Sequence, residues 1–112
     1  MSGAVPFLRV RDAEASAGWY EKLGFEVEWT HRFEPGLPLF VSIRRGDARL
    51  FLSEHTGDAT PDTLVYLYVD DADELAAELG ERAEDTPYGM RELELADPDG
   101  NRLRIGSPPL PA

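Results

Sequence analysis

Short runs of the chain alternate apolar and polar residues with a period of two, and two longer stretches replace that period with a helical one. Residues 5–10 alternate around Leu8 and Val10, which predicts a strand. Asp12 stands where an N-cap is needed, Ala15, Trp19 and Leu23 are spaced to share one helical face, and Gly24 supplies a left-handed stop. Strands are predicted near 25–31, 38–44 and 48–53. The same order then recurs. Alternation through Val65, Leu67 and Val69 leads to Asp71 as cap, Ala72, Leu75, Ala76 and Leu79 as the buried stripe, and Gly80 as stop. Strands near 83–86, 90–96 and 101–106 follow. The final run Ser107–Ala112 holds three prolines, which donate no ladder hydrogen bond, and is predicted to be an extended tail.

The two passes are one βαβββ module written twice. Leu8–Ala13 and Leu67–Ala72 share the pattern L-x-V-x-D-A, and each precedes a helix ending in Leu-Gly, at Leu23-Gly24 and Leu79-Gly80. Arg49–Leu52 and Arg102–Ile105 then share R-L-x-aliphatic, each just after a turn. Two separate matches in the same order make duplication a better account than chance. An α+β fold follows, with modules at about 4–55 and 63–106 in a single domain spanning 1–112. The seam is the polar, turn-rich run 56–62.

Alternation also assigns faces. Leu8, Val10, Leu39, Val41, Ile43, Leu50 and Leu52 go with the first helix, and Val65, Leu67, Val69, Leu93, Leu95, Leu103 and Ile105 with the second. The opposite face carries Phe7, Phe40, Phe51, Tyr66 and Tyr68 together with Ser42, Ser53, Glu92, Glu94 and five arginines: Arg9, Arg44, Arg49, Arg102 and Arg104. Rings interleaved with paired charges suit a concave ligand surface, where flat apolar area stacks a ligand and a few polar groups orient it. The competing account is that these rings fill a curved sheet or a subunit interface.

Composition narrows the function classes. A chain of 112 residues can bury a core without covalent staples. With 22 acidic against 11 basic residues the net charge is −11, a field that repels phosphate backbones and argues against nucleic acid as partner. Cysteine is absent, which removes disulfides, thiolate catalysis and cysteine metal sites. No apolar run is long enough to span a membrane and no signal segment stands at the N-terminus, so the expectation is a cytoplasmic protein with no membrane partner. His31 and His55 stand alone and are read as solvated or hydrogen-bonded side chains; no nucleophile elbow or phosphate loop is present.

Three segments together, Ala4–Asp12, Trp19–Phe25 and Asp97–Asn101, resemble the vicinal oxygen chelate superfamily of glyoxalases, extradiol dioxygenases and bleomycin resistance proteins. The resemblance covers nearly the whole chain. It implies paired βαβββ modules forming a curved mixed sheet around a cavity, as a dimer. Its metal enzymes take one ligand from the first and one from the last strand of each module, positions that carry over to Val5, Phe51, Leu64 and Arg104. None of these can hold a divalent cation, so no metal and no cofactor is expected. The resemblance then points to the metal-free bleomycin-resistance type. Trp29 and Phe33 fall where that branch places groove aromatics, and Pro87-Tyr88-Gly89 is similar to its Pro-Trp-Gly loop. The expected function is sequestration of a toxic natural product, bleomycin-type or another planar aromatic antibiotic, in an aromatic cleft at a homodimer interface. The expected contacts are Trp29, Phe33, Phe40, Phe51, Tyr66, Tyr68, Tyr88, Glu92 and Arg104, with no catalytic residue. The alternatives are a metal-independent lyase or isomerase using Glu92, Glu94 or Tyr66, and a partner domain whose aromatic face is only an interface.

Overall fold

The computed structural model describes residues 3–108, so the predicted tail at 109–112 lies outside the described residues. Among the described residues ten elements follow one another: β1 (Phe7–Arg9), α1 (Ala13–Glu21), β2 (Glu26–His31), β3 (Phe40–Arg45), β4 (Ala48–Ser53), β5 (Leu64–Tyr68), α2 (Ala72–Glu78), β6 (Glu84–Asp85), β7 (Arg91–Ala96) and β8 (Arg102–Ser107). They form two four-stranded mixed sheets, ordered β1-β4-β3-β2 and β5-β8-β7-β6. The duplicated α+β architecture predicted from the repeat is therefore present. Equivalent residues even share a register: Phe7 lies opposite Phe51 in the parallel β1/β4 pair, and Tyr66 opposite Arg104 in β5/β8.

The chain divides into two compact units. Among the described residues, one runs to Thr63 and takes in the Asp97–Asn101 loop; the other comprises Leu64–Ala96 and the residues from Arg102 to 108. In the first, Leu8, Val10, Val41, Ile43, Leu50 and Leu52 are buried, as alternation requires. Helix α1 begins where the Asp12 carboxylate accepts the Ala15 amide at 3.1 Å, and Glu54 adds a second cap by accepting the Ala13 amide at 2.8 Å. Glu54 also accepts the Leu39 amide at 2.9 Å. Gly24 ends the helix at φ +92°.

Leu23, just past α1, is buried as expected, but within the helix the buried face differs from the expected one. Ala13, Ser16, Ala17 and Tyr20 face the core, while Ala15 is exposed and Trp19 half-buried. Small residues at three of those positions let the helix approach the sheet closely, and the phenol can enter because a partner waits for it. Tyr20 Oη donates to Asp97 Oδ2 at 2.9 Å. Asp97 also accepts the Asp99 amide, the Asn101 amide and Asn101 Nδ2 at 2.8, 2.9 and 3.1 Å. Asn101 Nδ2 further reaches the Arg9 carbonyl, and its Oδ1 accepts the Thr63 amide. Burial, with the Asp97 charge beside it, pushes the Tyr20 hydroxyl far above its ordinary pKa. The Asp-Pro-Asp-Gly-Asn loop is thus a polar knot that fastens β1, α1 and the loop itself.

In the second unit Leu67, Val69, Leu93, Leu103 and Ile105 are buried with Ala72, Leu75 and Ala76 of α2, while Leu79 is only half-buried at the helix end. The Asp71 carboxylate accepts the Glu74 amide, and Ser107 Oγ accepts the Ala72 amide at 2.8 Å. Ser107 closes β8 and so is not part of the predicted tail. The strands expected at 5–10 and 83–86 shrink to β1 and β6. Pro6 has no amide to give a ladder, and Thr86 instead closes the Met90 turn by accepting its amide on Oγ1 and donating its own amide to the Met90 carbonyl.

Candidate functional site

The face of the first sheet opposite α1 gathers four rings. Phe7 of β1 meets Phe40 and Phe51 edge-on, with ring centroids at 5.4 and 5.2 Å, and Phe40 and Phe51 lie 5.1 Å apart. Trp29 of β2 stacks on Phe40 at 5.7 Å with planes 15° apart and tilts against Phe51 at 5.6 Å. These separations are those of attractive ring pairs. Trp29 nonetheless keeps 46 % of its surface exposed, so its indole is available to a ligand.

Beside the cluster is a hollow of about 410 Å³ lined by Trp29, His31, Phe33, Phe40, His55 and Asp58. Its size falls within the range that holds a small organic ligand. Phe33 projects from the chain after β2, is 72 % exposed, and meets His31 edge-on at 4.6 Å. Ser42 and Ser53, assigned by alternation to this open face, are completely buried. Each hydroxyl is taken up by an acid: Ser42 Oγ donates to Glu28 Oε1 at 2.8 Å, and Ser53 Oγ donates to Asp58 Oδ2 at 2.6 Å.

The corresponding face of the second unit is polar. Tyr66 and Tyr68 of β5 lie 4.9 Å apart. Tyr66 Oη and Tyr88 Oη both donate to Glu92 Oε2, at 2.8 and 2.5 Å. Burial and the Glu92 carboxylate push the Tyr66 hydroxyl up to about 12, and the hydrogen bond to Glu92 raises Tyr88 as well. Arg104 donates from Nε and Nη2 to Glu94 Oε1, and Arg102 stands 3.7 Å from the same carboxylate. Gly106 makes room for this arrangement, because a Cβ there would overlap Tyr66 Oη.

The predicted contact residues thus fall into two groups. Trp29, Phe33, Phe40 and Phe51 belong to the first unit's face and hollow; Tyr66, Tyr68, Tyr88, Glu92 and Arg104 belong to the second unit. Arg104 is neutralised by Glu94, not by Glu92. Sequence reasoning passed over His31, His55 and Asp58 as hollow-lining residues, although His31 sits two positions from Trp29 and His55 two from Ser53. It also passed over Glu28, for which no signal of period exists.

The four positions that would carry a metal in the superfamily's enzymes do not fit one. In the first unit Val5 precedes β1 and Phe51 lies within the ring cluster. In the second unit Leu64 is exposed and Arg104 brings its own positive charge. Valine, phenylalanine and leucine have no donor atom and arginine repels a cation. Among the described residues no group of three or more His, Asp or Glu side chains is placed to hold a metal ion.

Two βαβββ modules, each closing a parallel pair between its first and last strand, define the fold class of the glyoxalases, bleomycin resistance proteins and related dioxygenases. The family model described as glyoxalase superfamily protein matches residues 1–108, and the chain belongs to that superfamily. The bleomycin resistance determinant encoded on the transposon Tn5 is 26 % identical, with 98 % of this chain and 100 % of that one covered at a TM-score of 0.76. A bleomycin-binding protein solved in complex with bleomycin is also 26 % identical, covering 97 % of this chain and 100 % of that one at 0.73. TnmS3, an antibiotic binding protein from Streptomyces sp. CB03234, shares the fold at 23 % identity, with coverages of 97 % and 98 % and a TM-score of 0.75. No curated protein matches the chain. Among the described residues no helix is long and apolar enough to cross a membrane.

Proposed function

We propose that this protein binds a planar aromatic small molecule, a bleomycin-type or similar aromatic natural product, and holds it without chemistry. The observation that carries the reading is the cluster of Phe7, Trp29, Phe40 and Phe51, whose exposed indole borders a ligand-sized hollow. Each ring stacked on a ligand contributes ~0.5 to 1.5 kcal/mol beyond area burial, so two rings and the hollow walls suffice for micromolar affinity if the surface is preformed. Two bleomycin-related proteins at 26 % identity over nearly the whole chain support the choice of ligand class.

The alternative of a metal-independent lyase or isomerase needs a free acid or base in the second unit. Glu92 there already accepts two phenols, and Tyr66, pushed up to about 12, keeps its proton at neutral pH. That group is a set of satisfied donors and acceptors, which favours grip over turnover. Titration with bleomycin and with an anthraquinone, followed by tryptophan fluorescence, tests the proposal. Saturable quenching at micromolar ligand with the ligand recovered unchanged is expected. Absence of saturation with either compound overturns it. The homodimer implied by the family resemblance belongs to the same proposal and is read by light scattering on the titrated samples.

A further inference from the structure

We infer that Glu28 is a positioning residue: a one-residue bulge in β2, pinned by the Glu28 carboxylate to β3 and β4, turns Trp29 onto the ring cluster. The inference rests on the reading of that cluster as a ligand surface. The β2/β3 ladder pairs Glu26 with Arg44 and Val27 with Ile43, and then Trp29, not Glu28, with Ser42. Thr30 pairs with Val41 and His31 with Phe40. In an uninterrupted ladder Glu28 would face Ser42 and Trp29 would face Val41, which is buried on the helix side. An indole there would lie on the helix side of the sheet, away from Phe40 and Phe51. One extra residue reverses the faces of everything after it, so Trp29 and His31 join Phe40 on the open side.

The bulge has a specific fastening. Glu28 Oε1 accepts Ser42 Oγ at 2.8 Å and Arg49 Nε at 2.6 Å, and Oε2 accepts Arg49 Nη2 at 3.0 Å. A forked guanidinium on a carboxylate fixes direction as well as distance. The hydroxyl comes from β3 and the guanidinium from β4, so one carboxylate ties the edge strand to its next two neighbours. Ser42 is also the residue opposite both Trp29 and Phe51, which puts the fastening directly beneath the stacked rings. No core packing does this work, because β2 is an edge strand with every residue exposed. An indole held in advance loses less freedom when a ligand arrives.

The test uses a Trp19→Phe background, in which Trp29 is the remaining tryptophan. Near-UV circular dichroism and fluorescence anisotropy of Trp29 are compared with and without Glu28→Ala, beside bleomycin titration of both. Loss of the indole dichroic band, lower anisotropy and a roughly 3- to 10-fold weaker bleomycin complex are expected. Glu28→Gln, which keeps an acceptor oxygen for Arg49 or Ser42, is expected to restore part of each signal. Unchanged dichroism and anisotropy in a folded Glu28→Ala protein overturn the inference, whatever the titration shows. If that variant does not fold, Arg49→Met removes the fork from the other side, and unchanged Trp29 signals there overturn it equally. Failure of the parent protein to bind bleomycin defeats the ligand reading alone, since the spectroscopic arm still decides whether Glu28 holds the indole.

Discussion

Replacing Tyr20 with phenylalanine removes one oxygen from the centre of the polar knot and leaves the ring in place. Tyr20 is fully buried and its hydroxyl lies 2.9 Å from Asp97 Oδ2. Three other donors still reach Asp97 after the change, so the carboxylate is weakened but not orphaned. A hydrogen bond to a charged acceptor contributes ~1.5 to 3 kcal/mol, and the remaining donors place the expected loss near ~2 kcal/mol. For a chain of this size that corresponds to a fall in Tm of roughly 8 °C.

The pH dependence makes the test sharper. The unfolded phenol ionises near its ordinary value of 10.0, whereas burial and Asp97 keep the folded one protonated well above that. Above pH 10 the unfolded state therefore binds fewer protons than the native state. Stability must fall as pH rises, by about 1.4 kcal/mol per unit from this group. Tyr20→Phe lacks that decline, so its deficit of ~2 kcal/mol at pH 7 should shrink to roughly 0.6 kcal/mol at pH 11. Urea denaturation of both proteins at the two pH values, followed by fluorescence, measures it; the other tyrosines cancel in the difference. A deficit below ~0.5 kcal/mol at pH 7, or one that stays constant to pH 11, refutes the account of the knot.

Two further outcomes follow from the same contacts. Gly106→Ala places a Cβ against Tyr66 Oη and must swing the phenol off Glu92; its phenolate absorbance should then titrate nearer 10 than the 12 or so of the parent, and an unmoved titration, assigned with Tyr66→Phe, would show that the ring needs no such room. Glu54→Ala orphans two amides, those of Ala13 and Leu39, whereas Ser107→Ala orphans only that of Ala72; losses of ~2 and ~1 kcal/mol by chemical denaturation are expected, and equal losses would mean that water replaces one of the Glu54 bonds.

Much of the scaffold was legible because burial enforces it. Leu8, Val41, Leu52, Leu67, Leu103 and Ile105 are inside wherever the period of two places them, and Asp12 and Asp71 cap the helices they precede. The α1 face was misassigned because periodicity weighs residues by apolarity. By that measure Trp19 outranks Tyr20, but a phenol with a buried carboxylate partner can go deeper than an indole without one. Asp97 is the missing datum, and it lies 77 residues away in sequence, beyond any local pattern.

The bulge at Glu28 was illegible for a different reason. A period of two describes a strand as though each residue had one partner, and a bulge is the point where two residues share one. Nothing in Glu26–His31 distinguishes a regular strand from this one; only the register against β3 does. The same limit explains how the duplicated modules could keep their scaffold while their open faces diverged. Phe7 and Phe51 pair in the first module where Tyr66 and Arg104 pair in the second, and Ser53 occupies the position that Gly106 holds. Core positions tolerate only apolar residues of the right volume, so both copies retain them. The other face is free of that demand. One copy has used it for stacked rings and the other for a phenol, carboxylate and guanidinium network. Ligand chemistry must therefore be read from these open-face side chains and their registers, not from the repeat that carries them.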